Sequence, residues 1–150
     1  MRIFLFISLF LVIVGTSCTK SKQRSYTVPV DTLFNSWLLQ DAKCEGATNI
    51  EQELKSSQIR LQLIAPTENE GATYIGNIPN DQSIVQMQGM ALVTVTQDEE
   101  TGDDIEITIH NEHHQDVGGM HFVSKLNADS FVTNWYYKDT NCNLEFKLAK

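Results

Sequence analysis

Between Leu61 and Ser124 the chain has no lysine and no arginine, yet 11 aspartates and glutamates fall in that interval. A surface so short of positive charge repels a phosphate backbone, which argues against nucleic acid as a partner. Enzymatic signatures are missing as well. The chain contains no GxSxG, no phosphate-binding loop and no HExxH, so it lacks the spacings that build a nucleophile elbow, a phosphate cradle or a zinc-protease helix. Its paired carboxylates lie in the turn Asp98 to Asp104. A solvated turn cannot hold two carboxyl pKa values apart as acid–base catalysis requires, and this one lacks the ligand spacing of an EF-hand. No apolar run reaches the roughly 20 residues that cross a bilayer. The three cysteines form no CxxC pair, which removes the common redox motif. The expectation is a protein that is not an enzyme.

What is present begins with an address. Arg2 is followed by the apolar run Ile3 to Val14, broken only by Ser8, and then by Gly15, Thr16, Ser17 and Cys18. Residues 1–17 read as a secretory leader. Two cleavage readings fit: a general signal peptidase accepts Gly15 and Ser17, leaving Cys18 as a free N-terminal thiol, while the segment also resembles a bacterial lipoprotein signal. The resemblance implies that Cys18 carries the lipid. Gly15 stands where that pattern usually has a large aliphatic residue. Cysteine parity supports lipidation, because setting Cys18 aside leaves one pair, Cys44 and Cys142, for an oxidising compartment. A multiply acylated Cys18 would hold the protein at a membrane permanently. Residues 18–30 are polar and read as a tether, with Lys20, Lys22 and Arg24 available to anionic headgroups and Pro29 near its end. Thr19 after the cysteine, rather than Asp, implies by the same resemblance the outer membrane of a bacterial cell envelope.

From Cys18 onward there are 10 basic and 19 acidic residues in a length of 133, enough for one domain, placed at 31–150. Strand patterns dominate it. Ile59, Leu61 and Leu63 alternate with polar residues, as do Ile105, Ile107 and Ile109, and Leu144, Phe146 and Leu148. Turn-forming clusters lie at Gly71, Asn77 to Asp81, Glu99 to Asp104, Val117 to Gly119, Asn127 to Asp129 and Asp139 to Asn143. About eight short strands without helical crossovers predict an all-β antiparallel up-and-down barrel, with a β-sandwich as the alternative. The exception is Thr48 to Gln58. There Thr48 and Glu51 suggest a capping box, Ile50 and Leu54 share a helical face, and Glu51 is spaced to pair with Lys55. A strand fits that segment nearly as well.

The apparent first strand, Asn35 to Lys43, ends beside Cys44, and the last, Asn143 to Ala149, begins after Cys142. A disulfide between them would clasp the two ends of the sheet at one rim. The order of leader, tether, a Trp-bearing first strand (Phe34, Asn35, Ser36, Trp37), successive hairpins and a terminal Leu144, Glu145, Phe146, Lys147, Leu148 strand resembles the small lipocalin-like lipoproteins of bacteria. The resemblance implies a barrel whose closed end is plugged by Trp37. In that family a glycine usually precedes the Trp by two residues, where this chain has Asn35.

An eight-stranded barrel either fills with its own side chains or holds one small ligand. Phe131, Thr133, Trp135 and Tyr137 share one strand face by period two, and with Trp37 and Phe122 they are the candidate lining of a pocket for a small apolar or amphipathic ligand. Met87 and Met90 add to the apolar inventory. A second reading gives the acidic surface to a basic protein partner, as in an inhibitor or immunity-type protein.

Histidine supplies a third. All four lie within twelve residues, at His110, His113, His114 and His121. A hairpin registered with Glu106 opposite Lys125 puts His110 opposite His121 on one face, close enough for two imidazoles to share zinc or copper, with His113, His114, Glu112 or Asp116 arriving from the loop. Against it, HxxHH is no established metal motif, and exposed histidines at a hairpin tip are ordinary.

Overall fold

The computed structural model describes residues 25–98 and 102–150. The leader, Cys18 and the middle of the acidic turn lie outside the described residues. A short strand β1 (Ser25–Tyr26) precedes eight longer ones: β2 (Ser36–Cys44), β3 (Arg60–Ile64), β4 (Thr73–Asn80), β5 (Ser83–Asp98), β6 (Gly102–Asn111), β7 (Asp116–Leu126), β8 (Ser130–Tyr137) and β9 (Thr140–Leu148). From β2 to β9 each pairs antiparallel with the next, and β9 returns to β2. The sheet is therefore a closed up-and-down barrel, and the sandwich alternative falls away. Alternation explains the strands: Leu61 and Leu63, Ile105, Ile107 and Ile109, and Leu144 and Phe146 point inward and are buried. Leu148, at the end of β9, is partly exposed.

The helix forms on the expected apolar face, Ile50 and Leu54, but with polar contacts other than those expected. α1 (Thr48–Ser56) buries Ile50 and Leu54 over the end of the barrel where β2 and β8 finish. No side chain caps its start. Glu51 instead accepts the Cys44 amide at 2.8 Å, and Lys55 pairs with Asp41 at 2.6 Å. Glu53 accepts from the Tyr137 hydroxyl at 2.9 Å and from Lys138 Nζ at 2.7 Å. A nine-residue helix is marginal alone. These tertiary bonds hold it in place.

The opposite end is closed by the 3-10 turn Val30–Leu33. Trp37 is fully buried above it and donates its indole N–H to the Leu33 carbonyl at 2.8 Å. Its ring meets Phe131 edge-on at 4.9 Å, and Phe131 stacks on Phe146 at 5.0 Å. Residues 25–30, assigned to the tether by composition, belong to the folded body. β1 pairs parallel with β7, Ser25 opposite Lys125. The Tyr26 hydroxyl donates to the Val123 carbonyl at 2.6 Å and accepts the Ile105 amide at 3.3 Å.

Cys44 and Cys142 lie opposite each other on β2 and β9 and form the disulfide, their Cα atoms 4.0 Å apart. It closes a ring 98 residues apart in sequence. Loop entropy assigns a ring of that size up to about 4.7 kcal/mol, against a typical total stability of roughly 5–15 kcal/mol.

Candidate functional site

The side chains proposed to line a ligand pocket fill the barrel instead. A void wide enough for water leaves accessible surface on its walls, and Trp37, Phe131, Thr133, Trp135 and Tyr137 retain at most 2 %. Trp135 reaches across from β8 to donate its indole N–H to the Pro79 carbonyl of β4 at 3.1 Å. Phe122 is not inside at all. It stands on the outer face opposite Glu106, and Met90 is likewise outward and exposed. Met87 keeps its place against the core.

For Phe122 the cause is one hairpin register. The observed pairs are Glu106 with Phe122, Ile107 with His121 and His110 with Asp116, with an irregularity between Thr108 and His110. Relative to the expected register this is an odd shift, which exchanges the two faces of β7. His121 is thus completely buried and stacked on Trp135 at 3.7 Å. His110 is outside, its Nδ1 2.9 Å from Asp116. His113 and His114 sit exposed in the turn that follows β6. The histidines expected to share zinc or copper are therefore separated by the sheet. No group of three His, Cys, Asp or Glu side chains is positioned for a metal among the described residues.

Burial of His121 pushes its imidazole pKa down to about 4, although the Val117 carbonyl, 3.1 Å from Nε2, and the Asn134 backbone act in the opposite direction. Its Nδ1 and the Tyr74 hydroxyl are buried without a hydrogen-bond partner among the described residues. Burial raises the Tyr74 pKa, with the charge of Glu112 adding to it. Two of the carboxylates that hold α1 are lowered: Asp41 is held down by its bond with Lys55, and Glu53 by Lys138 and then Tyr137.

The outer surface shows what the interior does not. Strands β4, β5 and β6 carry no lysine or arginine. On their outward faces and on β7 stand Ile75, Met90, Leu92, Met120 and Phe122, with Leu92 57 % and Met120 56 % exposed. Leu92 and Met120 both neighbour Thr108, one from each side, so they lie about 10 Å apart across the sheet. Glu106 and Asp116 lie on the same face, beside Phe122 and His110. Where this wall meets the turn after β6, a groove of about 470 Å³ opens, lined by Ile75, Gln86, Met87, Gln88, Asn111, Glu112 and His113. Sequence reading had passed over Leu92, Met120 and this groove. The signal for the first two was present, since apolar residues occupy both parities of β5 from Met90 to Val95. No helix of the described residues is long and apolar enough to cross a membrane. No protein-family model, curated protein or solved structure matches the chain.

Proposed function

We propose that this is a lipid-anchored envelope protein of lipocalin-like build that works by binding another protein on the outer wall of β4 to β7, and that the partner is basic. The observation that carries the reading is the exposed pair Leu92 and Met120, flanked by Glu106 and Asp116, beside strands β4, β5 and β6 that carry no lysine or arginine; the wall's one cation, Lys125, stands at the far end of β7. Apolar centres with a charged surround are how protein interfaces are built. A contiguous exposed apolar patch on a soluble domain marks an interaction site more often than chance exposure. A small ligand inside the barrel loses its support, because the aromatic residues that would receive it pack on one another. Cys18 is the lipid site in this reading, with its leader and cysteine parity as support.

A photo-crosslinking residue at Leu92 or Met120, expressed in the native envelope, is expected to trap one basic protein in a salt-sensitive manner. The same probe at Lys43 or Asn143 on the opposite wall should trap none. Equal adducts on both walls, or none on either, would sink the proposal. Cys18→Ser tests the anchor separately: the protein should leave the membrane fraction and lose incorporation of a palmitate analogue.

A further inference from the structure

β5 runs on past the end of β6. Its residues Gly89 to Asp98 pair with β6, whereas Ser83 to Gln88 pair only with β4 among the described residues. One bond settles which way the amides point. The Ala91 N–H donates to the Ala72 carbonyl on the β4 side, and backbone groups alternate sides along an antiparallel strand. The register with β4 is unbroken from Thr73 to Asn80, so Gln86 and Gln88 turn their N–H and C=O groups away from β4. No strand of the described residues pairs with Gln86 on that side, and Gln88, whose carbonyl meets Glu112 where the β6 ladder closes, leaves its N–H open.

The geometry at the end of β6 makes this edge a usable slot. Gly89 lies opposite Asn111, and a Cβ there would strike the His110 carbonyl, so the two strands are pressed together at that point. Immediately beyond it the chain leaves β5 in the turn 112–115. The groove lies between that turn and the open edge, with Ile75 and Met87 giving it apolar surface. Glu112 stands at its end, held by the Gln88 side-chain amide at 2.9 Å. Proteins usually blunt an open edge with lysine or proline. β5 contains neither.

We propose that the edge Ile84 to Gln88 receives an extended segment of the partner as an added strand, continuing the sheet where β6 stops, with a lysine or arginine of that segment meeting Glu112. In this mode main-chain bonds supply affinity and the flanking groove supplies selectivity. Charge chooses the occupant. A second copy would bring two Glu112 side chains together in a chain of net charge −8, whereas a basic segment neutralises them. The inference rests on the reading of this side as the partner's, but the two fail separately: the wall crosslinks do not depend on the edge, and peptide addition does not depend on Leu92 or Met120.

The test is a titration of the mature protein with a short blocked peptide of alternating lysine and valine, followed by amide NMR and hydrogen exchange. Gln86 and Gln88 should shift and become protected. Gln86→Pro removes an N–H that β4 does not use, and should weaken binding about tenfold, the effect of losing one or two net hydrogen bonds. Glu112→Gln should weaken it too, and a glutamate–valine peptide should not bind. If Gln86→Pro fails to fold by circular dichroism, a lysine–valine peptide N-methylated at alternate residues makes the same deletion from the other side. Unshifted Gln86 and Gln88 signals, or equal affinity for the methylated peptide, would overturn the added strand. Concentration-dependent protection of those amides without peptide would identify a second copy as the occupant and overturn the assignment to a partner.

Discussion

The wall formed by β9 and β2 and the wall formed by β5, β6 and β7 obey the same inward rule and differ outward. On the first, Asp41, Lys43, Asn143, Glu145 and Lys147 face out, with Asp41 bonded to Lys55, and only Leu38 and Leu148 near one end are exposed apolar residues. On the second, Met90, Leu92, Met120 and Phe122 face out. Folding demands apolar residues inside the barrel and is nearly indifferent to what stands outside. The first wall shows that this barrel tolerates a charged exterior. The apolar exterior of the second is therefore not required by folding, and the proposed partner is what would cover it.

That contrast can be broken from inside or from outside. The largest effect belongs to Trp135→Ala, which empties the space between β8 and β4 and unstacks His121. A loss of about 3–5 kcal/mol is expected in denaturant unfolding. Next comes the clasp on the charged wall: Cys44→Ser with Cys142→Ser should cost roughly 2–5 kcal/mol. Reductant should produce the same shift in the wild type and none in the double variant.

Acid comes third. The His121 pKa is depressed to about 4, so below its unfolded value near 6.5 the unfolded chain binds a proton that the folded chain refuses. Stability is complete above that pH, falls as pH drops, and is about 2 kcal/mol lower by pH 5. His121→Phe should remove this part of the pH dependence. Asp41 and Glu53, whose pKa values are lowered, add an acid limb at lower pH that survives in the variant, because their bonds are lost only as the carboxylates protonate. The smallest effect sharpens the contrast most. Leu92→Ser and Met120→Ser should each change stability by no more than about 0.5 kcal/mol, while abolishing the wall crosslinks.

Much of the interior was legible because period two is strict where a strand is half-buried. Ile105, Ile107 and Ile109, or Phe131 to Tyr137, could hardly face any other way. Cys44 and Cys142 were legible because setting Cys18 aside leaves a single pair, one at the end of the first long strand and one at the start of the last. The hairpin of β6 and β7 was not. Gly118 and Gly119 look like its turn, but they lie within β7, and the chain reverses instead through residues 112–115, where His114 takes a positive φ of 59°. Glycine marks permissive backbone, and a bulged strand uses it as readily as a turn does. The better clue was parity: Val117, His121 and Val123 share one face and are all buried, and Phe122 shares the other with Met120. Helix α1 was half legible. Its apolar pair was visible in sequence, but its anchors, Asp41 on β2 and Lys138 in the turn between β8 and β9, have no local signature.

The disulfide ring runs from Cys44 to Cys142, and every hairpin turn of the barrel lies within it. A protease that cuts any one of those turns cannot separate the pieces. The two fragments stay covalently joined at the rim and threaded through a common sheet, so a nicked molecule keeps its first and last long strands together. Were the proposed anchor to hold the protein at a surface, damage to one exposed loop would then be a scar rather than a release.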